Sequence, residues 1–111
     1  MKIFAGRLNR TALLIAAASL LTAAPAFGQG AASVYKSRCA GCHGADGKAD
    51  TGIGKSMHLR SLASADVQKQ SDAELTSWIA DGKAAMPAYK DKLSGAQIKD
   101  LVGYIRELGK K

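Results

Sequence analysis

The feature that most constrains this chain is the stretch Cys39-Ala40-Gly41-Cys42-His43, which contains both of its cysteines. Two thiols lie three positions apart, and an imidazole follows the second one directly. This combination restricts the chemistry to a redox-active disulfide, a metal site or the covalent attachment of a haem. The rest of the sequence has to distinguish these three options.

The N-terminus indicates an exported protein. Three basic residues lie within the first ten, and the run over 11–24 is almost entirely apolar or small. Small residues predict cleavage after Ala26 or Gly28, so we interpret 1–28 as a secretory signal peptide and 29–111 as one domain. The apolar run is shorter than the ~20 residues of a membrane-spanning helix, so we expect no membrane anchor after cleavage. An uncleaved anchor is the alternative.

The predicted mature domain is only mildly basic. Removing the three basic residues of the leader lowers the formal net charge from +7 to +4, and aromatic residues do not interleave with the scattered basic ones. This pattern does not favour nucleic-acid binding. In an oxidising compartment two cysteines normally form a structural disulfide, but one across so short a loop would stabilise little. The cysteine pair is therefore expected to serve chemistry.

Helix signals dominate the domain, and no alternation of apolar and polar residues indicates a strand. Two capping boxes, Ser71 with Glu74 and Ser94 with Gln97, predict helix starts, and Gly82 is expected to end the middle helix in the left-handed conformation. Helices are predicted over 31–40, 72–81 and from 94 to 109, with one turn near 64–68 and loops over 41–54 and 83–93. The last helix has one apolar face, formed by Ile98, Leu101, Val102, Ile105 and Leu108.

This helical pattern favours the haem interpretation of the motif. A thioredoxin-like disulfide needs a strand before its helix, and none is predicted. A zinc site would have to use Cys39, Cys42, His43 and His58, whose spacing is not typical of zinc ligands. Cys-x-x-Cys-His is the attachment signature of c-type haem. On one helical turn the two sulfurs can bond to the vinyl-derived carbons of one porphyrin edge, and His43 becomes the proximal iron ligand.

The second axial ligand is predicted to be Met86. Pro87 forces the residue before it into extended geometry, so Met86 should lie on a loop from which its thioether reaches the iron. Met57 is interpreted as a core residue. His58 is the competing distal ligand.

The segments "CAGCHG", "GKAAMPAY" and "DLVGYIREL" resemble the two haem motifs and the C-terminal helix of class I c-type cytochromes, the small mono-haem proteins of bacterial periplasms. The resemblance covers the whole mature chain. It implies an all-α, cytochrome c-like fold of three to five short helices wrapped around one covalent haem c. It also implies that the first and last helices cross, so that Ala31 and Tyr35 meet Leu101 and Tyr104. The remaining candidate haem contacts are Tyr35, Trp78, Pro87 and Tyr89.

One departure from that family concerns the support of His43. The family usually has a proline soon after the haem motif, whose carbonyl accepts the histidine N–H, but residues 50–56 contain none. A carbonyl near Ile53 or Gly54 is expected to replace it.

The function implied is periplasmic one-electron transfer by a monomer that is not an enzyme. Lys83, Lys90 and Lys92 flank Met86 and are expected to guide the haem edge to redox protein partners with an acidic docking face. Two alternatives stay open. One is a haem enzyme or gas sensor in which the distal ligand is displaced. The other is an electron-entry subunit of a larger dehydrogenase or oxidase.

Overall fold

The computed structural model describes residues 27–111, with side chains from Gly30 onward. Apart from its last two residues, the predicted signal peptide lies outside the described residues, so the choice of cleavage site stays a prediction. The described chain forms six helices: α1 Phe27–Arg38, α2 Ala40–His43, α3 Gly52–Ser56, α4 Ala65–Gln68, α5 Asp72–Asp81 and α6 Gly95–Leu108. Over residues 27–111 there is no strand, and none of the helices is long and apolar enough to cross a bilayer.

The core forms where α6 packs against α1 and α5. All five residues of the predicted apolar face of α6 are buried. On α1, Ala31 and Tyr35 are 3% and 2% exposed, and the Tyr35 ring lies 4.9 Å from that of Tyr104, centroid to centroid. The predicted packing of the first helix on the last is therefore confirmed, and it places the end of α1, next to Cys39, beside the core.

The helix starts follow the predicted caps. Ser71 and Ser94 each form a complete capping box, with Glu74 and Gln97 as the reciprocal partners. The single turn α4 is also where it was predicted, with Ser64 as its N-cap. Because each cap satisfies amide groups that would otherwise lack partners, these starts are fixed by local sequence.

Two short helices lie where a loop was predicted, which is why the described chain has more than three to five helices. The first helix ends at Arg38, and α2 restarts at Ala40; α3 then forms within a glycine-rich stretch. Glycine has low helix propensity, so the pattern indicated a loop. The helix α3 forms because Thr51 caps it: the Thr51 hydroxyl accepts a hydrogen bond from the Gly54 amide at 2.8 Å.

Gly82 ends α5 at a positive φ, but not in the left-handed helical conformation that was expected. Its φ is 65° and its ψ is 174°, so the chain leaves the helix in an extended direction. A methyl group added at Gly82 would lie 2.5 Å from the Met86 carbonyl oxygen and 2.7 Å from the Pro87 carbonyl carbon. Tertiary contact with this backbone, rather than a local cap, sets the conformation.

A partly buried polar contact connects α6 to the chain before α5. The Arg106 guanidinium donates to the carbonyl oxygens of Gln68 at 2.7 Å and Gln70 at 2.5 Å, and it also binds the Asp72 carboxylate at 2.8 Å. The Gln68 amide in turn donates to the carbonyl of Ile105 at 3.0 Å. These bonds hold the α4–α5 connection against the last helix.

Candidate cofactor site

The two cysteines lie on one helical turn, as the motif predicts. Cys39 is the N-cap of α2, and its carbonyl accepts hydrogen bonds from the amides of Cys42 at 3.2 Å and His43 at 2.9 Å. Both thiols are free and half-buried. Burial raises the pKa of the Cys39 thiol, so at neutral pH it is protonated. The turn thus presents two thiols three residues apart.

His43 follows on the same turn and is half-buried. Burial lowers its pKa, so the imidazole is neutral at neutral pH, the form that binds a metal. Its Nδ1 atom is buried, and no described residue offers it a hydrogen-bond partner. A buried nitrogen without a partner is costly, so His43 is a candidate ligand for a bound group.

The hydrogen bond expected between His43 and a carbonyl near Ile53 or Gly54 is absent among the described residues, because the His43 Nδ1 atom has no partner there. The Ile53 carbonyl accepts the Met57 amide at 2.9 Å, and the Gly54 carbonyl accepts the Leu59 amide at 2.9 Å. Formation of α3 turns both carbonyls to backbone partners, and this helix was not visible in the sequence pattern.

The loop after the motif is fixed by two side-chain hydrogen bonds that the sequence did not reveal. The buried Tyr35 hydroxyl donates to the Gly44 carbonyl at 2.6 Å, and burial raises the pKa of this hydroxyl. The Thr51 hydroxyl donates to the Cys42 carbonyl at 2.8 Å. Gly54 packs so close that a methyl group there would lie 2.8 Å from the same carbonyl. The sequence signal that could have indicated this helix is the threonine before it, because threonine is a favoured N-cap residue.

Met86 lies on the loop after α5, half-buried against the core cluster on which Cys39 also packs. It forms an isolated antiparallel bridge with Lys83: the Lys83 amide donates to the Met86 carbonyl at 3.1 Å, and the Met86 amide donates to the Lys83 carbonyl at 3.0 Å. Tyr89 packs on the same cluster, and its hydroxyl donates to the Arg38 carbonyl at 3.1 Å. The fold therefore brings the loop of Met86 next to the turn that begins at Cys39.

The structure does not bring the other candidate ligands to this core. His58 is exposed, at a φ of 53°, and Met57 is 44% exposed at the end of α3. Met57 is thus not the core residue that was expected. Trp78 is 39% exposed rather than packed in the interior, and the Lys83 ammonium lies 5.2 Å from its ring centroid. Pro87 is exposed beside Met86.

Comparisons with known proteins identify the family of this chain. The family model described as "Cytochrome C oxidase, cbb3-type, subunit III" matches residues 26–105. Cytochrome c6 of Bryopsis maxima is 34% identical over 79 residues, covering 67% of this chain and 83% of that protein. The cbb3-type cytochrome c oxidase subunit CcoP of Azospirillum brasilense is 33% identical over 79 residues, covering 69% of this chain but only 27% of that subunit.

A solved structure, the KustC0563 c-type cytochrome, superimposes with a TM-score of 0.65 at 32% identity, covering 70% of this chain and 95% of that one. The chain therefore belongs to the class I c-type cytochromes, within the family whose model it matches. Proteins of this class transfer electrons and carry covalently bound haem c, and two cysteines suit one such group. The cytochrome c-like fold and the haem interpretation of the sequence are confirmed.

The residues of the site fit this group. Two free thiols lie on one turn, a neutral imidazole follows them, and its Nδ1 atom has no partner among the described residues. The side chains of Cys39 and Met86 approach one core from distant parts of the sequence. The described residues contain no cluster of three or more His, Cys, Asp or Glu side chains that would indicate a separate metal site.

Proposed function

We propose that this chain is an exported one-electron carrier in which haem c is attached through Cys39 and Cys42 and bound axially by His43 and Met86. The observation that carries the proposal is the approach of the Met86 loop to the end of α1, through the hydrogen bond from Tyr89 to the Arg38 carbonyl, directly before Cys39. Without that approach, the Met86 side chain would lie too far from a group attached to the cysteine turn to bind it.

Attachment requires only the two thiols and an unsaturated partner. Haem c would be held by two thioether bonds, one from Cys39 and one from Cys42. Each S–H would add across a vinyl group, with sulfur on one carbon and hydrogen on the neighbouring one, so no oxidant or reductant would be needed. The helical turn from Cys39 to Cys42 sets the distance between the two bonds, and Tyr35 and Thr51 hold this turn in place.

The bound haem supplies one-electron chemistry through the change of its iron between Fe(II) and Fe(III). His43 would contribute a neutral imidazole nitrogen, and Met86 a soft, neutral thioether, which would favour Fe(II) and raise the potential relative to two histidines. With His43 and Met86 both bound to the iron, small molecules would be kept from it. This supports a carrier rather than an enzyme.

The surface around Met86 supports docking to a redox protein with an acidic face. Lys83 stacks on Trp78, and Lys92 lies 5.6 Å from the Tyr89 ring centroid. Lys90 lies 3.8 Å from the Asp81 carboxylate, an exposed pair that contributes little to stability. The aromatic contacts hold two ammonium groups in place beside the Met86 loop, where they attract carboxylates of a partner.

A second candidate function is that of an electron-entry subunit of an oxidase. The family model and the CcoP relative favour it, although this chain spans 27% of that subunit's length. Co-purification from native membranes with a larger haem protein would support this alternative, whereas elution of the native protein as a monomer supports the free carrier.

Export to the periplasm is part of the proposal and rests on the leader. The polypeptide mass of the native protein checks the cleavage: removal of the leader after Ala26 or Gly28 gives two different masses, and a chain that retains Met1 supports the uncleaved anchor instead. The same spectrum should show the mass of one haem added to the polypeptide, and this mass should survive denaturation in acid-acetone.

Axial ligation is tested by a redox titration of the holoprotein followed in the visible spectrum. The ferric protein should show the weak sulfur-to-iron band at the red end, and Met86→Ala should abolish it, lower the potential and open the iron to carbon monoxide. Met57→Ala and His58→Ala are matched controls on exposed candidates, and both should retain the band. Retention in Met86→Ala together with loss in either control refutes the assignment.

A further inference from the structure

The segment 82–89, here called the Met86 segment, is held at both ends by backbone contacts. At its start, Gly82 packs under the Met86 and Pro87 backbone, and the Lys83–Met86 bridge closes a tight turn. At its end, the Tyr89 amide donates to the Ile79 carbonyl at 3.0 Å. The first two contacts lie within the segment, the bond from Tyr89 to Ile79 fixes it to α5, and none of the three reaches the cysteine turn.

Tyr89 provides the contact across this gap. Its hydroxyl donates to the carbonyl of Arg38, the last residue of α1 and the direct neighbour of Cys39. Burial raises the pKa of the Tyr89 hydroxyl, so it is a proton donor at neutral pH. The bond therefore joins the segment that contains Met86 to the residue before the cysteine turn.

The acceptor is available because of the break between α1 and α2. In a continuous helix the Cys42 amide would donate to the Arg38 carbonyl. Here the Cys42 amide donates to the Cys39 carbonyl at 3.2 Å instead. Among the described residues, the donor outside α1 that binds the Arg38 carbonyl is the Tyr89 hydroxyl. The break that forms the cysteine turn thus also creates the attachment point for the Met86 segment.

We propose that Tyr89 is a positioning residue whose hydroxyl tethers the Met86 segment to the cysteine turn and so holds the Met86 thioether in place as an iron ligand. The inference rests on the proposed ligation by Met86. Phenylalanine at this position would keep the ring packed on the core but lose the tether. The segment would then separate from the cysteine turn more often, by about two- to tenfold for one hydrogen bond.

The test is the binding of imidazole to the ferric holoprotein, because imidazole occupies the iron only when Met86 leaves. Tyr89→Phe should tighten the apparent imidazole affinity about two- to tenfold, the factor expected for one hydrogen bond. The sulfur-to-iron band should also disappear at a lower temperature. Tyr104→Phe is the matched control, since Tyr104 stacks on Tyr35 and no hydrogen bond of its hydroxyl is recorded within the described chain. Equal affinities in Tyr89→Phe and wild type, or an equal change in the control, overturn the inference.

Amide hydrogen exchange separates this inference from the assignment of the ligand. The Met86 amide, which is bonded to the Lys83 carbonyl, should exchange faster in Tyr89→Phe by a similar factor, whereas amides in the middle of α6 should not change. If Met86→Ala leaves imidazole affinity unchanged but the exchange is faster in Tyr89→Phe, the ligand assignment fails and the tether stands. Unchanged exchange at Met86 overturns the tether whatever the ligand is.

Discussion

Replacement of Gly82 by alanine should displace the backbone of the Met86 segment. The new methyl carbon would lie 2.5 Å from the Met86 carbonyl oxygen, 2.7 Å from the Pro87 carbonyl carbon and 2.8 Å from the Ala88 nitrogen. All three atoms are backbone, so no flexible side chain can move away. The methyl group and the Met86 segment cannot both keep their positions.

The magnitude has two parts. With φ 65° and ψ 174°, Gly82 occupies a region that only glycine adopts readily, and a side chain there costs about 1–3 kcal/mol. Forcing a methyl group into the packed backbone adds about 1–3 kcal/mol. The sum of about 2–6 kcal/mol is a large share of the 5–15 kcal/mol that stabilises a typical domain.

Urea unfolding of the holoprotein, followed by far-ultraviolet circular dichroism, measures this loss, and the sulfur-to-iron band measures the local damage. Gly103→Ala is the matched control, because Gly103 lies inside α6 and nothing lies within 4 Å of an added methyl group. That control should gain about 0.5–1 kcal/mol through helix propensity. If the free energy of unfolding of Gly82→Ala lies within about 0.5 kcal/mol of the wild-type value and the band is kept, the expected loss of about 2–6 kcal/mol is refuted.

Three further predictions concern the rest of the molecule. Arg106→Lys should lower the free energy of unfolding by about 1–3 kcal/mol in urea denaturation, because one ammonium cannot satisfy the two carbonyls and the carboxylate that the guanidinium binds. No change in this free energy would mean that water replaces these bonds. Ser94→Ala should cost about 1 kcal/mol in the same assay through loss of the α6 cap, and Ser94→Asp should restore most of it. Electron transfer to the native partner, measured by stopped flow, should slow as salt rises. The double substitution Lys83→Glu with Lys90→Glu should slow it further and weaken its salt dependence, while the reduction potential barely moves. A rate that changes with neither salt nor these substitutions would exclude a basic docking face.

Local sequence predicted those parts of the fold that depend on neighbouring residues. The capping boxes at Ser71 and Ser94 and the apolar face of α6 were read correctly, because each depends on residues within one or two turns. The motif at Cys39 also predicted its own geometry, since the spacing of two thiols on a helical turn is a local property. Family membership then confirmed the haem interpretation.

Tertiary structure decided how distant segments meet, and there the sequence pattern was insufficient or wrong. Glycine-rich α3 forms because Thr51 caps it, and the carbonyls of Ile53 and Gly54 accept the amides of Met57 and Leu59. The conformation of Gly82 is set by the backbone it packs against, not by a helix cap.

The hydrogen bond between Tyr89 and Arg38 joins residues 51 positions apart. No pattern within either segment predicts this bond. The Arg38 carbonyl is available only because α1 ends there, and the Tyr89 hydroxyl reaches it only in the packed fold. The sequence by itself predicted a haem attached to the cysteine turn. Only the tertiary structure decided which loop lies beside that turn, because hydrogen bonds and packing between distant segments depend on the complete fold.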